Sequence, residues 1–262
     1  MIDVVLPAVV AAFVFVSFIF VIALWQKRFD LIDPAWGLVI VAIAMSAYTN
    51  QSVISYLSVQ TIVVAMVVLW ATRLSLHLYT RWLRAKKEDW RYSELVKKAK
   101  NRRGGMLANM YARVYLTQGL FALVISAPVL IVCMAAPAVP SIYTKIGVVV
   151  WLVGFAIELV SDAQLSEYLR TTKDKTKLMT TGMWKYSRHP NYFGEVTMWW
   201  GMFIVALGVP NGWVSIIGPL TITFLLLFVS GIPMTESRFR GRKGWDSYKK
   251  RTSAFIPLPP KS

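Results

Sequence analysis

Seven long apolar runs separated by short polar connections constrain this chain more than any other feature. They lie at 6–24, 34–48, 57–79, 114–134, 146–159, 192–207 and 213–232. A helix crossing a bilayer needs roughly 17 to 25 predominantly apolar residues, because it rises about 1.5 Å per residue through a hydrocarbon core about 30 Å thick. With 56% of its 262 residues hydrophobic, the chain carries too little polar surface for a soluble domain of this length. The runs predict an all-α integral membrane protein built as a seven-transmembrane-helix bundle.

The basic residues predict how such a bundle would be oriented. Lys27 and Arg28 follow the first run, and basic segments follow the third (81–103), the fifth (170–188) and the seventh (238–261). The alternate connections, 49–56, 135–144 and 208–212, hold no Lys or Arg. Cationic loops stay on the cytoplasmic side, so the N-terminus is expected outside and the C-terminus in the cytoplasm. The formal net charge of +16 would suggest nucleic-acid binding in a soluble chain. Here it reads as topology, with anionic lipid headgroups or a phosphate-rich cofactor as additional users, and no nucleic acid or obligate protein partner is inferred. No cation precedes the first run and Lys27-Arg28 closes it, which reads as a retained span rather than a cleaved signal.

The longest polar connection, 81–109, is too short for a soluble domain and reads as an amphipathic helix plus turn, so residues 1–262 form one membrane-embedded domain. Pro128, Pro137, Pro140, Pro190, Pro210, Pro219 and Pro233 punctuate helices or their ends. The lone Cys133, inside an apolar run, excludes an intramolecular disulfide and a cysteine-based zinc site. The proline-rich tail at 256–260 reads as a surface strap. No P-loop, glycine-rich dinucleotide fingerprint or His-rich metal spacing occurs.

Ionisable and polar residues inside the runs are expensive in lipid and therefore informative. Arg73 and His77 stand four residues apart, so both face one side of a helix; His77 reads either as a site residue or as a side chain reaching for the interface. Glu158 and Asp162 repeat that spacing and make an acidic face, with Arg73, Arg170 and Arg188 as candidate partners for a site or for a structural ion-pair network. Gln118, with Tyr111 and Tyr115, reads as an interhelical hydrogen-bonding group. Asp33-Pro34 reads either as a helix cap with proline at the first helical position or as part of a cavity. The stretch Thr181-Gly182-Met183-Trp184-Lys185-Tyr186-Ser187-Arg188-His189-Pro190-Asn191-Tyr192-Phe193-Gly194-Glu195 sets cationic donors beside a carboxylate at the mouth of an apolar helix. It is the part of the chain best equipped for chemistry.

That stretch resembles the C-terminal region of the steroid 5-alpha-reductase family. So do Asp33-Pro34-Ala35-Trp36-Gly37, Ser161-Asp162-Ala163-Gln164-Leu165, Gly231-Ile232-Pro233-Met234-Thr235-Glu236 and the segment from Tyr248 to Pro257, all similar to its bacterial branch. The resemblance implies a seven-helix bundle that takes NADPH from the cytoplasmic side, with about 146–262 as the cofactor-binding half. It implies reduction of the 4,5 carbon-carbon double bond of a 3-oxo-4-ene steroid or similar lipid enone, in a bacterial inner membrane. Carried onto this chain, it assigns cofactor contacts to Asp162, Arg170, Asn191, Tyr192 and Glu195, with Arg73, Arg188, His189, Glu236 and Tyr248 as further candidates. Cations suit phosphates, while carboxylates and Asn suit ribose hydroxyls and the nicotinamide amide.

The resemblance breaks at one place. In the steroid-reducing animal members an adjacent Gln-Glu pair on an early helix, with a Tyr on the next, polarises the substrate ketone. Here Trp36 is followed by Gly37-Leu38-Val39-Ile40, and the position of the Tyr matches Trp70. The ketone partner is left among Asp33, Trp36, Trp70, His77 and Gln118. Two alternatives belong to other classes: an S-adenosylmethionine-dependent methyltransferase of isoprenylcysteine or phospholipid, which shares an Arg-His-Pro turn, and a sterol-binding membrane protein without catalysis.

Overall fold

A computed structural model of the chain describes residues 2–51, 54, 58–172, 174 and 177–261. Half of the 49–56 connection (52, 53, 55 and 56), the first residue of the 57–79 run, and 173, 175 and 176 of the 170–188 segment lie outside the described residues. The architecture is helical throughout, and among the described residues the only β-type pairing is an isolated bridge between Ser187 and Ser253.

Five helical stretches among the described residues are long and apolar enough to cross a membrane: Ile2–Gln26, Phe29–Thr49, Val59–Arg84, Ile142–Thr171 and Gly212–Ser237. The pair Gly105–Ile125 and Ala127–Met134, bent by 53°, makes a sixth if its two pieces count as one span. The bend has a local cause. Pro128 sits in the first turn of the second piece and cannot donate a backbone hydrogen bond, while the buried Ser126 hydroxyl turns back onto the Ala122 carbonyl at 2.7 Å. The 192–207 run folds as a helix, Pro190–Ala206, of 17 residues, shorter than any of the five. This set of apolar helices fits a multi-pass membrane protein.

The chain divides into two compact units, Met1–Pro140 with Val209–Ser215, and Ser141–Gly208 with Ile216–Ser262. In the first, α1 (Ile2–Gln26) buries Val4, Ala8, Ala12, Val16, Ile19 and Ala23 at helical spacing and leaves Leu6, Val10, Phe13, Phe18 and Val21 exposed. Small residues inward and large apolar ones outward suit a helix with lipid on its outer face. It packs on α2 (Ile32–Thr49), which packs on α3 (Val59–Arg84). Gln60 of α3 is fully buried and its amide donates to the carbonyls of Val132, Ala135 and Ala136, satisfying the end of α7 (Ala127–Met134). Between α5 (Gly105–Met110) and α6 (Leu116–Ile125), Tyr111 shares a hydrogen bond with Ser17 and Tyr115 donates to the Phe29 carbonyl, the interhelical role expected of these tyrosines. The 81–109 segment contains the expected helix as α4 (Trp90–Lys100).

The second unit is organised by two antiparallel helices, α8 (Ile142–Thr171) and α9 (Pro190–Ala206). Gly147 lies against Gly201, and Gly154 against Gly194. A Cβ at Gly154 would stand 2.6 Å from the Gly194 carbonyl oxygen, and one at Gly194 would stand 2.7 Å from the Glu158 nitrogen, so only glycine allows this backbone contact. The consequence is positional: the middle turns of α8, with Glu158 and Asp162, are pressed against the first turns of α9. After a π-helical turn at Leu225–Val229, α10 (Ile217–Phe224) gives way to α11 (Ile232–Ser237), and α12 (Trp245–Arg251) precedes the tail.

Candidate functional site

The Arg188-His189-Pro190 turn is shaped by its neighbours on both sides. Gly182 has φ +62, a left-handed conformation that glycine adopts without penalty, and this brings the Met183 N–H to the Gln164 side chain of α8 at 2.9 Å. Trp184 donates to the Ser161 carbonyl at 3.1 Å, and Pro190 opens α9, where a missing N–H is harmless. The C-terminal tail lies along this turn as a strap. Ser187 Oγ donates to the Phe255 carbonyl, the Arg188 N–H donates to Ser253, and the Leu258 N–H donates to Tyr186.

Within this frame the motif's side chains converge. Asn191 Nδ2 donates to Asp162 Oδ1 at 3.1 Å, and the Asn191 Oδ1 is buried with no hydrogen-bond donor among the described residues. Tyr192 Oη lies 3.2 Å from Thr235 Oγ1, and its ring stacks on His189 with centroids 5.3 Å apart. His189 Nε2 lies 3.3 Å from Glu236 Oε1, and Arg188 Nε donates to the same oxygen at 2.8 Å. Asp162, Arg188 and His189 are all buried. Glu195 is half-buried one turn beyond Asn191. Asp162, His189, Asn191, Tyr192 and Glu236 thus form one polar cluster, with Thr235 as a member that sequence reasoning passed over. Its signal was its place beside Glu236 in a polar interruption of an apolar helix.

Three of the expected cofactor residues are occupied elsewhere. The Arg188 guanidinium also donates from Nη1 to the Lys249 and Thr252 carbonyls and lies over the Trp245 ring. Its work is to hold Glu236 and α12 in place. Tyr248 donates to the Trp184 carbonyl at 2.6 Å, and burial pushes its phenol above the ordinary range, so it remains a donor. Arg170 is exposed and ion-paired with Glu167 at 2.8 Å, apart from the cluster.

The first unit holds a second polar cluster. Asp30, buried, accepts from Arg28 Nε and Nη2 (3.1 and 2.9 Å), from Trp82 Nε1 (2.9 Å) and from the Asp89 N–H (2.9 Å). Arg28 also stacks over Trp82 and donates to the Trp82 and Ala85 carbonyls. Asp33 accepts from Arg91 Nη2 at 2.6 Å and from Tyr92 Oη at 2.5 Å. The helix-cap reading of Asp33 is therefore corrected: the capping position is Leu31, which makes no side-chain cap, and the Asp33 carboxylate instead holds α4. Burial opposes charge on Arg91, but Asp33 and Asp89 outweigh it and hold the guanidinium above its ordinary value. Burial and then the Asp33 carboxylate push the Tyr92 phenol well up. Arg28 and Arg91 read in the sequence as topological charges; the adjacent acids Glu88-Asp89 inside a basic segment were the overlooked signal of their pairing.

The remaining expected ketone partners lie in this unit too. Trp36 and Trp70 meet edge to face, with centroids 6.2 Å apart. His77 is half-buried on α3 and Gln118 on α6; Arg73, expected at the cofactor, is half-buried on α3 as well.

A family model described as "Protein of unknown function (DUF1295)" matches residues 19–252. The chain belongs to this family. The match takes in both polar clusters, the whole Arg-His-Pro turn and α12. No curated protein and no solved structure matches the chain.

Proposed function

We propose that this protein is an NADPH-dependent reductase of a membrane-soluble enone, with the 4,5 double bond of a 3-oxo-4-ene steroid as the type substrate. The observation that carries the reading is the Asn191–Asp162 pair. Its amide carbonyl is an acceptor buried without a donor, beside a carboxylate, in the motif that resembles the steroid 5-alpha-reductase family. A buried acceptor without a partner destabilises a protein by about 1–3 kcal/mol, an expense consistent with a ligand that supplies the donor.

The residues fit NADPH in chemical type. Asn191 Oδ1 suits the carboxamide N–H of a nicotinamide, and Asp162 suits hydroxyl donors of a ribose. Tyr192, stacked on His189, offers an aromatic face and a hydroxyl at the edge of the cluster. Arg188 is engaged by the protein, so phosphate binding falls to exposed cations such as Arg238, Arg240, Lys249 and Lys250. When bound, the cofactor supplies a hydride. The protein's own tasks are to hold it, to exclude water by burial, and to stabilise charge that builds on the substrate oxygen.

In this reading the 17-residue α9 is the additional span of a seven-helix bundle, with the N-terminus outside and the C-terminal cluster on the cytoplasmic side of a bacterial inner membrane. The basic segments 81–103, 170–188 and 238–261 support that orientation.

The test is product analysis by mass spectrometry after purified protein meets NADPH and S-adenosylmethionine together, with a 3-oxo-4-ene steroid and an isoprenylcysteine as acceptors. A steroid heavier by two hydrogens is expected. A methylated acceptor replaces the reading with a methyltransferase, and tight steroid binding without any product replaces it with a sterol-binding protein.

A further inference from the structure

Trp36 and Ser75, at the contact between α2 and α3, belong to neither cluster. Trp36 Nε1 and Ser75 Oγ are both buried and have no hydrogen-bond partner among the described residues. The two helices meet closely at this level: a Cβ at Gly37 would lie 3.1 Å from Ser75 Oγ and 3.2 Å from the Ala71 carbonyl oxygen. The Trp70 ring packs edge-on against the Trp36 indole and fixes its plane. Both helices are among the membrane-length stretches. Lipid tails carry no acceptor, and an indole N–H has no second role to fall back on, since it donates and cannot accept.

We propose that the Trp36 N–H is the hydrogen-bond donor to the ketone oxygen of a 3-oxo steroid bound against α2 and α3. The identity of the ligand rests on the enone-reductase reading; the orphaned donor does not. A donor held in place by Trp70 before the ligand arrives requires no reorganisation, and it does for this chain what an acidic side chain would do elsewhere, polarising the carbonyl without a titratable group. Of the five residues considered as ketone partners, Asp33 is engaged by Arg91 and Tyr92. Trp36 Nε1 is a buried donor that lacks an acceptor among the described residues, and the Trp70 ring stands edge to face with it.

The experiment compares androst-4-en-3-one with androst-4-ene, which lacks the ketone, for binding to the full chain in lipid nanodiscs. Wild-type protein is expected to prefer the ketone by about tenfold, the usual size of one buried hydrogen bond. Trp36→Phe should abolish that preference and leave the affinity for androst-4-ene unchanged. Its melting temperature should be equal to or above wild type, because it removes an unsatisfied buried donor. If Trp36→Phe does not fold, benzothienylalanine at position 36 replaces the N–H by sulfur in the same ring shape and gives the same reading. A preference retained in these variants overturns the proposal, and so does a wild-type protein that binds neither steroid or both equally. NADPH oxidation is measured separately. A ketone preference that depends on Trp36 without NADPH turnover overturns the reductase reading and keeps the site, whereas turnover and preference that both survive Trp36→Phe overturn the site and keep the reductase.

Discussion

The two polar clusters are built from the same residue types and differ in how completely they satisfy themselves. Around Asp30 and Asp33 the carboxylates accept from two arginines, an indole, a phenol and a backbone N–H, so the network spends its donors on holding α4 and the preceding loop to the start of α2. Around Asn191 the inner ring of contacts, from Arg188 to Glu236 and the α12 carbonyls, is equally closed, yet the Asn191 carbonyl oxygen stays without a donor. A closed polar network rigidifies a fold, and one with an open acceptor is equipped to receive a ligand. The difference separates a brace from a candidate site without appeal to residue identity, since Arg, Asp and Tyr occur in both.

The largest effect that would break this comparison concerns Arg188. Its side chain is 7% exposed, and Arg188→Met strands Glu236 and two carbonyls, so unfolding in detergent should show a loss of about 3–5 kcal/mol. Arg91, 32% exposed in its ion pair with Asp33, should lose only about 1 kcal/mol as Arg91→Met, because water screens and replaces part of what is lost. Equal losses at the two arginines would erase the distinction between a buried clamp and a surface brace.

Gly154→Leu should cost about 3 kcal/mol by forcing α8 and α9 apart, and should weaken NADPH binding at the same time, because the Asp162–Asn191 contact depends on that approach. Calorimetry and cofactor titration on one preparation check both halves. Asn191→Leu sharpens the contrast in the opposite direction. It removes one hydrogen bond and one orphaned acceptor together, so stability should move by less than about 1 kcal/mol while NADPH affinity falls about tenfold. A destabilised Asn191→Leu with unchanged affinity would make the second cluster a brace as well.

The smallest effect is a pH dependence in the first unit. Burial raises the Glu88 carboxyl above its ordinary value, although it accepts from the Phe29 N–H at 2.6 Å. The neutral form is thus favoured in the folded protein, so the stability linked to it is complete below the unfolded value and lost as pH rises through the folded one. Glu88→Gln should therefore melt higher than wild type at pH 8 and at the same temperature at pH 3. A gain that persists at low pH would assign the effect to packing.

How much was legible in the sequence follows from how local each contact is. The apolar runs return as helices because length and hydropathy are properties of a contiguous segment. The Arg188-to-Glu195 stretch was recognisable because its residues are consecutive and incongruous at the head of an apolar helix. The brace escaped notice because Asp30, Trp82 and Asp89 are far apart in the chain and each looks ordinary where it stands. The single span expected at 114–134 became a bent pair, since Pro128 marks a break whose angle depends on packing.

The sequence by itself determined a membrane protein of long apolar helices, the spacing of its charges, and the location of the polar stretch at the head of α9, because these depend on local composition and helical period. Only the tertiary structure decided that Arg188 is a clamp, that Asp33 holds α4, and that Asn191 Oδ1 and Trp36 Nε1 are among the buried atoms left without a partner. Whether a buried polar atom is satisfied depends on which distant side chain reaches it, and this is a property of the packed chain.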